Sequence, residues 1–273
     1  MKRTTIPKHS TVVSKALEAN NITVQYGQSM VLKGLSFSVQ TGEMVGILGP
    51  NGSGKTTLLH ALLGLVPLQS GQVKLLGADL TAIGSKERAR LAGMVPQKLG
   101  TPFPFKVYEV VLMGRYPHIS YWRGYKGEDH LLAAKALEHT GLEHLSGRLF
   151  PSLSGGEQQM SLLARLQAQN PKIFLLDEAT SALDIRRKIE ALDFITKLSL
   201  SKNLTVLAVF HDINLAALYC SRLMFLKSGE IRYDGMVKEV LTPDKIRDIF
   251  ETKVIVTRHP SIDAPQVFFM PGG

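Results

Sequence analysis

The nine residues GPNGSGKTT, Gly49 to Thr57, constrain what this chain can fold into more than any other stretch. They fit the pattern G-x-x-x-x-G-K-[ST], and they stand where that pattern has a mechanical meaning. Before them runs EMVGIL (Glu43 to Leu48), short and mostly apolar; after them the leucines of TTLLHALLGL recur at helical spacing until Pro67 stops the run. A strand, a glycine loop and a helix in that order turn backbone N–H groups and a positive helix end toward an anion. Gly49, Pro50, Asn51, Gly52, Ser53 and Gly54 supply the cradle, and Lys55 meets the β- and γ-phosphate oxygens. The Thr56 hydroxyl is placed to ligate Mg²⁺, and Thr57 closes the candidate site.

The rest of the chain extends this unit into a layered fold. Asn21 to Gln40 reads as two extended runs, NITVQY and VLKGLSFSV, split by a turn that begins Gly27-Gln28-Ser29, hence an antiparallel layer. KIFLL (Lys172 to Leu176) and LTVLAV (Leu204 to Val209) read as strands buried on both faces, separated by a helix-length segment from Ile185 to Ser199. From about Thr101 to Gln169 the pattern is helical only: VYEVVLMGR, HLLAAKALEHT and the run Gln158 to Gln169. Between them, YPHISYWRGYKGED is aromatic and basic and reads as surface. Near the end RLMFLKSGEIRYDG has the pattern of a hairpin, and TPDKIRDIF that of a helix with a Thr cap and Pro at its first position. The expected fold is α/β, a P-loop (RecA-like) parallel-sheet core with an antiparallel β layer before it and an inserted all-helical subdomain. One domain is expected over 17–264, with core segments 17–100 and 170–250 and helical subdomain 101–169. Residues 1–16 form an N-terminal extension and 265–273 a C-terminal tail, neither with an assigned role.

Composition excludes little but excludes it clearly. With 273 residues, 44% of them hydrophobic, the chain can bury one sizeable core. Its one cysteine, Cys220, rules out an intrachain disulfide framework. No stretch approaches the roughly 18 unbroken apolar residues of a membrane span, and the N-terminus lacks the apolar run of a signal peptide. The net charge of +9 suits nucleic acid, an anionic membrane surface or a nucleotide alike. Basic residues such as Lys86, Arg88, Arg90, Arg186, Arg187 and Lys188 are spread along the chain without the aromatic interleaving of a single-strand-binding groove.

Further candidates lie where other strands end. Asp177 and Glu178 terminate the apolar strand KIFLL. Alone they would read as capping or solvent-facing acids. Beside a phosphate loop, Asp177 suits a Mg²⁺ ligand and Glu178 a base that polarises the attacking water. His211, after LTVLAVF, is by default a polar strand terminus, but at the end of a neighbouring parallel strand it reaches the γ-phosphate. Gln97, after GMVP, carries the same two readings: a turn glutamine, or a contact to Mg²⁺ or water. SLSGGEQQ (Ser152 to Gln159) is a second glycine pair opening into a helix, an apparently redundant anion loop.

The ordered set Tyr26, GPNGSGKTT, Gln97, LSGGEQQ, IFLLDEAT, SALD and His211 closely resembles the ATP-binding cassette (ABC) ATPases, from about Leu17 to Phe250. The resemblance implies that ATP with Mg²⁺ is the ligand, that Tyr26 stacks on adenine, and that Ser154, Gly155, Gly156 and Glu157 form the signature loop. Asp184 in SALD then belongs to a loop that crosses a dimer. In this family two cassettes pair head to tail, each ATP held between one subunit's phosphate loop and the other's signature loop. The two anion loops of one chain would thus serve two different nucleotides.

With one cassette and no membrane span, the chain looks like the separate ATPase subunit of an importer, held at the cytoplasmic face of the membrane by permease subunits and served by a binding protein. VYEVVLMGRYPH, HDINLAALYCSRLMFLKSGEI and RHP (Arg258 to Pro260) resemble importers of iron–siderophore, haem and vitamin B12 chelates. PFPFKVYEVVLMGR also resembles a molybdate or tungstate subgroup. VYEVVLMGR itself reads equally as a coupling surface or as a helix packed within its subdomain. A soluble ABC ATPase acting on nucleic acid or the ribosome is the alternative of another class; such relatives usually carry two cassettes or a coiled-coil insertion, so a nucleic-acid partner is not expected. A module that binds nucleotide without hydrolysis is a third, opposed by Glu178. The sequence departs from the family's habit at Glu157 to Met160, where a basic residue often follows the signature glycines, in DEAT for the commoner DEPT, and at Phe210 before His211.

Overall fold

The computed structural model describes residues 14–97, 104–120, 122, 124–181 and 183–271. Most of the proposed N-terminal extension, the start of the helical segment at 101–103, Tyr121 and Arg123 of the aromatic loop, Ala182 of SALD and the last two residues lie outside the described residues.

The chain opens with β1 (Lys15–Tyr26) and β2 (Ser29–Gln40), antiparallel across the expected Gly27 turn. The strand starts at Lys15 and not near Asn21, because Ala16, Leu17 and Ala19 are buried against β2 and a later strand while Asn21 takes up a bulge at φ 50°. β3 (Met44–Leu48) runs into the glycine loop and α1 (Lys55–Leu62). β4 (Ser70–Leu75) and β5 (Ala78–Asp79) then complete a four-stranded sheet in the order β2-β1-β4-β5. The chain continues through α2 (Ser85–Leu91) to β6 (Ala92–Val95).

The helical segment follows: α3 (Val107–Leu112) with a 3₁₀ turn over Met113–His118, α4 (Gly127–His139) and α5 (Gly155–Gln169). VYEVVLMGR packs inward through Val107, Val110 and Val111, and Arg115 reaches the interior. There its Nε donates to Asp129 Oδ1 at 2.9 Å and its Nη1 to the Ala168 carbonyl at 2.8 Å. Met113 and Tyr116 face outward from the same segment. α5 starts three residues earlier than the apolar pattern indicates, at Gly155. Ser154 caps it and Glu157 returns the bond, so both glycines lie inside the first turn.

β7 (Ile173–Asp177), α6 (Ile185–Lys202), β8 (Thr205–Val209) and α7 (Ile213–Tyr219) restore the α/β alternation. β9 (Arg222–Lys227) and β10 (Glu230–Met236) form the expected hairpin, and α8 (Val237–Val240) leads to α9 (Pro243–Phe250), whose Thr242 cap accepts from the Lys245 N–H at 3.4 Å. The chain closes with an antiparallel pair, β11 (Val254–Arg258) and β12 (Pro265–Phe269). Pro265–Phe269, set apart above as the start of a tail, is therefore folded structure: Val267 is buried among the helices.

The central sheet has the order β10-β9-β3-β8-β7-β6, parallel from β9 to β6. Its strands alternate sides, which divides the interior into two cores. Val45, Ile47, Ile173, Leu175, Leu207 and Val209 face α1 and the antiparallel layer, whereas Met44, Leu48, Phe174, Leu176, Val206 and Ala208 face the helical segment and the C-terminal helices.

Candidate functional site

Three adjacent parallel strands end level with one another, and the glycine loop leaves the fourth. Val95 pairs with Leu176, and Asp177 with Val209. Gln97 therefore lies two residues past its strand, Glu178 one past and His211 two past, on the same edge of the sheet. That edge is where open parallel sheets place their ligands.

The loop itself is set by backbone geometry. Gly49 has φ 157°, and a Cβ there would lie 2.0 Å from the Leu226 carbonyl oxygen of β9. Gly54 sits at φ 101° as the N-cap of α1 and has no side-chain cap, so the first N–H groups of the helix are left for a ligand. Lys55 is buried at 6% exposure, and its Nζ donates to the Gly49 and Pro50 carbonyls, each at 2.9 Å. Burial pushes its pKa down, opposed by the charges of Glu178 and Asp177. Ser53 Oγ is also buried and without a hydrogen-bond partner among the described residues. A cleft of about 380 Å³ opens over Asn51, Gly52, Lys55, Thr56, Thr57 and Glu178, with the Tyr26 ring, 49% exposed, on its rim.

Thr56 Oγ1 donates to Asp177 Oδ1 at 3.2 Å, which joins the end of β7 to the first turn of α1. Asp177 is 2% exposed, and burial is the main cause that raises its pKa, with the Glu178 charge adding to it; the Thr56 bond opposes both. A hydroxyl and a carboxylate at this spacing are hard oxygen donors of the kind Mg²⁺ takes alongside phosphate and water. The residues thus fit a Mg²⁺ ion held by Thr56 and Asp177. Gln97, the third residue expected at Mg²⁺, donates through its Nε2 to Glu178, the residue after Asp177.

Glu178 adopts φ 51°, a region a long side chain seldom enters. Its carboxylate is bracketed: Oε2 accepts from Gln97 Nε2, and Oε1 lies 2.5 Å from His211 Nε2. The Glu178 side chain is 10% exposed and that of His211 50%. Two side chains from the ends of two strands, Gln97 and His211, thereby converge on the carboxylate at the end of a third.

The second glycine pair lies apart from this bracket. Ser154 and Gly155 are exposed, while Gly156 is buried against Leu183 and Arg187, next to Asp184. Glu157 Oε2 accepts from the Ser154 N–H at 2.8 Å and from its hydroxyl at 2.7 Å. These bonds hold the Glu157 carboxyl below its ordinary range. Asp184 caps α6, accepting from the Arg187 N–H at 2.9 Å. The sequence does not reveal the bracket itself, since Gln97 and Glu178 are 81 residues apart.

The family model described as ABC transporter matches residues 32–181. The cobalamin import ATP-binding protein BtuD of Halobacterium salinarum is 37% identical over 255 residues, 93% of this chain and 64% of that protein. The ferric enterobactin transport ATP-binding protein FepC of Escherichia coli is 36% identical over 251 residues, 92% of this chain and 93% of that one. The first curated relatives matched are longer, and the chain spans 58% to 64% of their length. Among solved structures, an ABC transporter assigned to the metal-chelate type, in an inward-facing conformation, superposes with a TM-score of 0.82 at 30% identity, over 94% of this chain and 98% of that one.

Proposed function

Because the chain belongs to the ABC transporter family, we propose that it binds and hydrolyses ATP as the motor subunit of a membrane importer, and that the cargo is a metal chelate of the iron–siderophore, haem or cobalamin kind. The cargo class is supported by the names of the relatives, cobalamin and ferric enterobactin among them, and by the metal-chelate type of the similar structure. No helix among the described residues is long and apolar enough to cross a membrane, so the membrane path is assigned to permease subunits that this chain docks against.

The observation that carries the reading is the bracketed Glu178 beside the glycine loop. Lys55 and the uncapped start of α1 hold the phosphates, and the Tyr26 ring stacks on the base. Thr56 and Asp177 would hold a Mg²⁺ ion, which would supply charge neutralisation at the phosphates. Glu178, the carboxylate at the centre of the bracket, takes the proton of the attacking water. Both its oxygens are engaged in this arrangement, so Gln97 or His211 must yield one for water to bind. The signature loop Ser154–Glu157, exposed at Ser154 and Gly155, meets the nucleotide of a second copy of the chain.

The test is Glu178→Gln, which keeps the shape and loses the base. Hydrolysis is expected to fall by about 10²–10⁴-fold with ATP binding retained. Unchanged turnover would remove Glu178 from the role.

A further inference from the structure

The C-terminal pair β11–β12 holds none of the residues assigned to nucleotide, yet it is fastened to the helix that begins directly after His211. Asn214, in the first turn of α7, engages the backbone of Val267 in both directions. Its Nδ2 donates to the Val267 carbonyl at 3.1 Å, and its Oδ1 accepts from the Val267 N–H at 2.7 Å. A side-chain amide thus stands in for one residue of a neighbouring strand along the edge of β12.

The surroundings make the clasp firm. Val267 is 3% exposed and shares one apolar cluster with Ile213 and Val254. Asp263, in the turn between the two strands, pairs with Lys238 of α8 at 2.7 Å. Two residues separate His211 from Asn214, and both are fixed: Asp212 Oδ1 accepts from the N–H groups of Asn214 and Leu215 at 2.9 and 3.0 Å, and Ile213 is buried. The His211 side chain, by contrast, is half exposed, so packing does little to hold the imidazole where it meets Glu178. Its place is set by the backbone from which it projects.

We propose that Asn214 is a positioning residue: by clasping Val267 it fixes the start of α7 and so the placement of the His211 imidazole against Glu178. The proposal rests on the reading of His211 and Glu178 as parts of the hydrolytic site, and it gives the C-terminal hairpin a part in turnover through a single side chain.

The test uses the full chain. Asn214→Ala is expected to lower kcat about tenfold with KM for ATP unchanged, because Tyr26 and the glycine loop sit on other elements. His211→Ala lowers kcat by itself, and adding Asn214→Ala to it is expected to cost nothing more, since the two act through one group. In a chain labelled with ¹⁵N-histidine, the ring signals lost in His211→Ala should shift in Asn214→Ala while those of the other histidines hold. Asn214→Asp keeps the outline and the acceptor for the Val267 N–H but loses the donor. It should give an intermediate kcat and shift, which keeps the test available if the alanine chain does not fold. Unmoved His211 signals in either variant, or a further multiplied loss in the His211→Ala background, would overturn the proposal. Full activity of His211→Ala alone would instead overturn the underlying reading of His211, and the proposal with it.

Discussion

α1 and α5 each begin at a glycine loop, and they treat their positive ends in opposite ways. α1 begins at Gly54 with no side-chain cap and no acid in its first turn, and the buried Lys55 adds a cation. α5 begins at Ser154 with a complete capping box, in which the Glu157 carboxylate already lies against the helix end. The first loop is also fixed to the sheet, with Gly49 pressed on Leu226 and the Gly229 N–H donating to the Ser53 carbonyl at 3.2 Å. The second is anchored inward at Gly156 and exposes Ser154 and Gly155. A helix end left uncapped in a fixed loop is suited to take phosphate unaided. A helix end that is already capped and faces outward is suited to add contacts to a ligand held by something else.

That contrast can be broken in graded ways. Lys55→Ala removes the cation from the open loop and should reduce ATP hydrolysis by about a thousandfold, with nucleotide affinity falling as well in equilibrium titrations. Ser154→Arg should reduce hydrolysis by about a hundredfold and yet leave nucleotide binding by the isolated chain unchanged. Weakened binding in that variant would mean that the two loops act on one nucleotide within one chain. Gly49→Ala drives a Cβ into the Leu226 carbonyl and is expected to cost roughly 3 kcal/mol in denaturant unfolding. Gly52→Ala, at φ 77° with open space around it, should cost only about 1 kcal/mol.

The smallest effect belongs to the cap. Glu157→Ala should cost about 0.5–1 kcal/mol at neutral pH. The folded chain depresses the Glu157 pKa through its bonds from Ser154, so this stabilisation is present above the unfolded pKa and is lost as pH falls through the folded one. Thermal melts of the two chains should therefore converge in acid.

What could be read from residues alone divides along the line between local and long-range physics. Strand, glycine loop and α1 were legible because the pattern GPNGSGKTT and the leucine spacing after it are local, and so were the Ser-Gly turn before β10 and the Thr242 cap. β4 was not, since only Val73 and Leu75 of its six residues are buried, too few to show alternation. KALEAN, at the start of β1, has a composition that suits a helix, and tertiary burial overrides it. Glu178 and His211 could be placed at strand ends, but their contact depends on β7 and β8 being neighbours in the sheet. The Arg115–Asp129 and Asn214–Val267 bonds were invisible for the same reason: neither spacing carries a periodic signal.

The claim that the open and the capped loop serve different nucleotides is tested most directly by mixing two disabled chains. Lys55→Ala lacks a working phosphate loop and Ser154→Arg a working signature loop, and each alone should be nearly inactive. In a head-to-tail pair of one with the other, one nucleotide site collects both defects and the second collects none. The account therefore expects ATP hydrolysis to reappear when the two chains are mixed, and activity that stays at the level of the separate chains would contradict it.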